Sequence, residues 1–117
     1  MPKFLITAIY SSGSWSRMIG NPDDRTSAAR SLTECLGGSL ESLYWEAKSR
    51  SALAIADLPD SVTAAALATA VTKTGAFTSV DTQQLLTQDQ LGDLLILAKH
   101  AAEVYEVPGQ SAIERSS

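Results

Sequence analysis

Between Leu36 and Thr87 the chain changes structural type again and again, and each change carries its own turn signal. Leu36-Gly37-Gly38 closes a helix. Ser39-Leu-Glu-Ser-Leu-Tyr-Trp-Glu46 and Ala52-Leu-Ala-Ile-Ala-Asp57 read as two strands, joined by the polar loop Lys48-Ser49-Arg50-Ser51. Leu58-Pro59-Asp60-Ser61 turns into an alanine-rich helix that Gly75 ends, and Phe77-Thr-Ser-Val80 begins another strand. With Lys3 to Tyr10 as an opening strand, the order is βαββαβ, the split-βαβ unit. That order leaves few topologies open, because each crossover must be right-handed.

The predicted fold class is therefore α+β: a ferredoxin-like βαββαβ antiparallel sheet with helices on one face, plus a C-terminal helix. A chain of 117 residues suits one core. Residues 1–107 are read as a single domain that includes the last helix, and 108–117 as a polar tail. In the first strand Phe4, Ile6, Ala8 and Tyr10 point one way, and Leu5, Thr7 and Ile9 the other. The third strand is equally apolar on both sides, so both strands belong in the sheet centre. Two helices cover one face only. An uncovered second face would exceed the few hundred Å² of apolar patch that monomers tolerate. A homodimer or higher oligomer is expected, unless the C-terminal helix covers that face.

The first long helix is expected to start at Asn21-Pro22-Asp23-Asp24, with Asn21 as cap and Pro22 at the first helical position. Its apolar stripe reads Ala28, Ala29, Leu32, Cys35 and Leu36. Ser11 to Gly20 is read as a connection with at most one helical turn. The second strand alternates Leu40, Ser42, Tyr44 and Glu46 against Glu41, Leu43 and Trp45, as a half-exposed edge strand would. Leu32 and Ile55 are placed at the sheet–helix interface. Asp60 or Ser61 caps the alanine-rich helix. Thr87-Gln-Asp-Gln90 is a capping box for a last helix with the stripe Leu91, Leu94, Leu95, Ala98, Ala102 and Tyr105.

Net charge is −4 with no basic run, which argues against a nucleic-acid surface. The single Cys35 permits neither an intrachain disulfide nor a cysteine-based zinc site. No apolar run approaches the ~18 residues of a membrane span, and the start Met-Pro-Lys-Phe-Leu-Ile reads as strand, so a cytoplasmic protein is expected. No phosphate loop, nucleophile motif or paired carboxylates stand out, and no cofactor or metal is expected.

Several segments together resemble the GYD-domain family: the opening Pro-Lys-Phe-Leu-Ile-Thr-Ala-Ile-Tyr, Leu36-Gly37-Gly38 with Leu40-Glu41-Ser42, Asp57-Leu58-Pro59-Asp60 with the alanine-rich helix after it, Leu85-Leu86-Thr87, and Tyr105 to Gly109. The resemblance spans roughly residues 2–109. It implies a fold similar to the dimeric α/β-barrel proteins, which pair ferredoxin-like sheets, and it implies no particular reaction. The Gly-Tyr-Asp tripeptide that names the family should fall near Lys48-Ser49-Arg50-Ser51, where glycine, aromatic and acid are all replaced.

Arg25 is the one charge that falls on the inward stripe of its helix, near the end of the first strand and Tyr10. It suits an anchor for a carboxylate or phosphate; alternatively its stem packs while its head pairs with Asp23 or Asp24. Trp15, Tyr44 and Trp45 are the large amphipathic aromatics, suited to ligand, core or interface. Tyr44 and Trp45 are adjacent on a strand and face opposite sides, so they cannot share a pocket. The candidate ligand-binding residues are thus Arg25, Tyr10, Trp15 and Trp45. Lys48, Arg50, Asp57 and His100 read as solvated or turn residues. Two functions fit. One is an assembly or small-ligand-binding module, taking a small anionic or apolar ligand. The other is a cofactor-free enzyme of the dimeric α/β-barrel kind, a monooxygenase or isomerase.

Overall fold

The computed structural model describes residues 1–109, so the expected tail lies outside them apart from Pro108 and Gly109. The chain forms two compact units, Met1–Leu85 and a second that begins at Leu86. The first contains β1 (Lys3–Tyr10), α1 (Ser12–Gly20), α2 (Arg25–Cys35), β2 (Ser39–Glu46), β3 (Ser51–Asp57), α3 (Ser61–Thr72) and β4 (Phe77–Leu85). The strands form one antiparallel sheet in the order β2-β3-β1-β4, the ferredoxin-like arrangement, with β1 and β3 central as their two apolar faces require. The second unit contains α4 (Gln88–Val104). Its capping box forms as expected: Gln90 N–H donates to Thr87 Oγ1 at 3.2 Å, and Thr87 N–H to Gln90 Oε1 at 2.9 Å. No residue of α4 is buried, and Leu94, Leu95, Ile96 and Leu97 are all exposed.

One face of the sheet carries the core. Phe4, Ile6 and Ala56 pack with Leu58, Ala64 and Leu67, and Leu32 and Leu36 of α2 join them. Both α2 and α3 therefore cover the same face, as two right-handed crossovers demand. A second cluster at the other end joins Ala8, Tyr10 and Ala52 to Trp15 and Met18 of α1.

Several sequence expectations need correction. Ser12–Gly20 is a nine-residue helix and not a loose connection, capped by Ser11, whose Oγ accepts from Ser14 N–H at 3.2 Å. Trp15, Met18 and Ile19 stand at helical spacing, a signal that the bracketing Gly13 and Gly20 masked. Asn21 ends α1 and does not start α2; Asp24 is the cap, accepting from Ser27 N–H at 3.1 Å, and Pro22 lies outside the helix. Cys35 is exposed, and Thr33 is buried in its stead. Thr33 donates its hydroxyl to the Ala29 and Arg30 carbonyls at 3.2 and 3.0 Å, so its polar atom is satisfied within the helix and its methyl can face inward.

Two strand facings also differ. A bulge between Leu40 and Ser42 breaks the alternation of β2, so Leu40 pairs with Ala56 and shares the helix-covered face with Leu43 and Trp45. Ile55 pairs with Leu5, on the opposite face from Leu32, so these two do not meet across the sheet–helix interface. What β3 turns toward the helices is Ala52, Ala54 and Ala56; its larger Leu53 and Ile55 point to the other face, where they are half-buried beside Leu5, Thr7 and Ile9. Tyr44 stands on that same face at 64% exposure.

Asp60 caps α3, accepting from Thr63 N–H and Thr63 Oγ1, both at 2.7 Å. Those two bonds, the backbone one foremost, hold its carboxyl below the ordinary 3.8. A depressed native pKa contributes stability above pH 3.8 that is lost as pH falls through the native value. Asp60→Asn still caps but carries no charge. Its urea midpoint should therefore fall less between about pH 5 and pH 3 than that of wild type. Equal slopes for the two proteins would mean that the cap bonds do not favour the ionised form.

Candidate functional site

Between the sheet and α2 and α3 lies a cavity of about 230 Å³. It exists because the facing elements meet alanine to alanine. The floor is Ala8 of β1 with Ala52 and Ala54 of β3, and the roof includes Ala28 and Ala29 of α2. The larger apolar side chains Ile6, Leu32, Leu43, Leu67 and Val80 stand around the edge and keep the layers apart. Native interiors otherwise pack with few voids larger than a water molecule.

At one end the wall is aromatic. Tyr10 is 5% exposed and stacks on Trp45, with centroids 5.9 Å apart and planes 22° apart. Phe77 tilts against the same ring at 4.5 Å, and Trp15 at 6.1 Å. Trp45 and Phe77 line the cavity; Trp15 lies behind Tyr10 and supports it from α1. Trp45 reaches this place because it faces the helices, and its neighbour Tyr44 faces away.

Arg25, the first residue of α2, enters at the same end. Burial disfavours its charge, but the nearby Tyr10 hydroxyl and the Asp23 carboxylate more than offset that, so the guanidinium is held charged more firmly than usual. Nη1 donates to Asp23 Oδ2 at 3.0 Å, and Nε is buried without a partner. Thr33 and Thr74 also line the cavity, but both commit their hydroxyls to helix carbonyls. The polar atom left without a partner is Arg25 Nε, and the Tyr10 hydroxyl stands beside the same guanidinium. No carboxylate, histidine or cysteine is among the residues lining the cavity.

Arg25 also borders two outer depressions. One, of about 410 Å³, is lined by Tyr10, Ser14, Arg17, Asn21 and Asp23 as well. The other lies between Pro22, Thr26 and Trp45. The structure thus brings Arg25, Tyr10 and Trp45 together, with Trp15 one layer behind. Sequence reading missed Ser14 and Arg17, which become legible only once Ser12–Gly20 is recognised as a helix.

The remaining candidates stand elsewhere. Lys48 and Ser49 donate backbone N–H groups to Glu46 at 3.0 and 2.7 Å, and the Ser49 hydroxyl donates to it as well; these bonds, that hydroxyl first, hold the Glu46 carboxyl low. Arg50 takes φ 57°, in the left-handed region that favours glycine, within the loop between β2 and β3. Asp57 pairs with Lys3 at 3.2 Å, and His100 is exposed on α4. Among the described residues no cluster of His, Cys, Asp or Glu is suited to a metal ion, and no helix is long and apolar enough to cross a membrane.

A family model described as GYD domain matches residues 4–95 of the chain. No curated protein and no solved structure matches it.

Proposed function

This chain belongs to the GYD-domain family, and on that premise we propose that it is a homo-oligomeric protein that binds a small, mostly apolar organic molecule between its sheet and helices. The observation that carries this reading is the alanine-lined cavity with an unpartnered guanidinium nitrogen, Arg25 Nε, at one end beside Tyr10. Ligand sites are characteristically apolar with a few placed polar groups. The volume lies below the roughly 300–1,000 Å³ of drug-sized sites, so the occupant is small. A cytoplasmic location suits the single free cysteine.

Ala28 tests the cavity without endangering the core, since it is exposed on α2 yet borders the opening. A small aromatic ligand at a hundred times its Kd should stabilise wild type by about 2.7 kcal/mol. Ala28→Leu should fold normally and lose that thermal shift, because the longer side chain enters the space the ligand needs. An unchanged shift would place binding elsewhere.

The assembly half of the proposal rests on the face that carries Leu5, Ile9, Leu53, Ile55 and Tyr44. Sedimentation should find a dimer or larger at micromolar concentration, and Ile55→Lys should shift it to monomer. A wild-type monomer refutes this half and leaves the cavity untouched.

A second reading is enzymatic: a cofactor-free monooxygenase or isomerase of the dimeric α/β-barrel kind. It is favoured by the phenol and guanidinium standing together at the cavity end, where they would stabilise an enolate. Binding without turnover is the stronger reading, because the lining offers no carboxylate or imidazole as general base.

A further inference from the structure

We propose that the molecule taken by this cavity is an organic monoanion, a carboxylate, seated with its apolar body inward and its head at the neck formed by Arg25, Tyr10 and Ser14. This rests on the binding role proposed above and specifies its ligand.

Three observations converge. Arg25 commits Nη1 to Asp23 and leaves Nε buried and unpartnered. The Nε edge of a guanidinium is the one that grips a carboxylate side-on, through two parallel N–H donors. Ser14 is 5% exposed and lines the polar depression beside Arg25. Its Oγ accepts from Arg17 Nη2 at 2.9 Å, which leaves its own proton for an outside acceptor. Tyr10 borders both the apolar cavity and the polar depression, as Arg25 does, and its hydroxyl stands beside the Arg25 guanidinium. Donors thus gather at one end, and the rest of the inner wall is apolar or self-satisfied.

The charge count selects a monoanion. Arg17 and Arg25 face the depression together with one carboxylate, Asp23, which leaves a single net positive charge. A carboxylate balances that charge. A phosphate dianion would exceed it and would set its second charge against Asp23. The alanine floor and roof account for the other half of the ligand, since they offer no hydrogen bond and admit a flat or slender hydrocarbon.

Matched pairs test this. Benzoate, cinnamate and octanoate are each titrated calorimetrically against their primary amides, which share their shape but lack the charge, with inorganic phosphate as a control. At least one carboxylate is expected to bind wild type about tenfold or more tighter than its amide, the usual effect of hydrogen bonds to a charged group. Phosphate alone should give no heat. Arg25→Met keeps the packed stem and should bring each pair to within about twofold. Arg25→Lys keeps the charge without the fork and should also lose most of the preference. Asp23→Asn should move the other way and tighten carboxylates, because it removes the opposing charge. Amides that bind wild type as well as their carboxylates overturn this inference and leave the cavity as a neutral-ligand site. Binding that is equally strong in Ala28→Leu overturns the cavity reading itself. A preference that survives both Arg25 variants overturns the assignment of the head to this neck.

Discussion

Gly38→Ala is expected to destabilise the protein by about 3–5 kcal/mol, in the range reserved for steric failure at a fixed backbone. A Cβ at Gly38 would lie 2.1 Å from the carbonyl oxygen of Asp57 and 2.9 Å from Leu58 Cδ2. Neither side can yield easily. Gly38 N–H is held by the Thr33 carbonyl at 2.9 Å, and Leu58 N–H by the Pro2 carbonyl at 3.0 Å. Asp57 itself pairs with Lys3 of β1 and Ser39 of β2. Gly37 makes a sharp comparison. It has the left-handed φ of 82°, yet its Cβ would meet only Pro59 Cγ at 3.6 Å. Gly37→Ala should therefore cost about 1–2 kcal/mol, the strain of one left-handed residue. Urea unfolding of the two variants decides the matter. A cost for Gly38→Ala no greater than that for Gly37→Ala would show that the β2–β3 junction moves aside.

Leu58→Ala should cost about 2–5 kcal/mol, toward the upper end. Leu58 is wholly buried, packed with Phe4, Ile6 and Ala56 from the sheet and with Ala64 and Leu67 from α3. The cost includes lost transfer free energy and the void left behind. The void persists because several neighbours are alanines with no side chain to swing into it. The measured m-value should stay unchanged while the midpoint falls. The two sites touch, so their effects should not add. Leu58→Ala removes one of the clashes of Gly38→Ala but not the one with the Asp57 carbonyl, and the double variant should cost less than the sum. Strict additivity would mean that Leu58 takes no part in excluding a side chain at Gly38.

Local signals were read well at two helix starts and misread at a third, where Asp24 and not Asn21 is the cap. Asp60 and Thr87 sit where cap chemistry predicts them, because a cap needs only its own next three residues. The opposite facings of Tyr44 and Trp45 follow from the pleat alone. Leu40 shows where that logic ends: one bulge moved it to the other face, and a bulge is settled between two strands and not within one. Leu58 was legible only as part of a turn, although it is the largest fully buried side chain among the described residues. The turn carries it into the core because Pro2 ties its backbone to the start of β1. Thr33 and Cys35 exchanged places for a similar reason, since the helix satisfied a hydroxyl that hydropathy alone counts as polar.

For the site, the sequence by itself determined that Arg25 stands on the inward side of its helix near Tyr10, because helical spacing and the strand's length fix both. It determined the order of the strands and of α2, α3 and α4 as well, though not α1, and with the strand order it determined the sheet order, since right-handed crossovers leave little choice. Only the tertiary structure decided that there is a cavity. Ala8, Ala28, Ala52 and Ala54 are unremarkable singly, and each suits its own strand or helix. A void arises where small side chains from separate segments meet face to face while larger ones hold the layers apart, and that depends on neighbours far away in the chain.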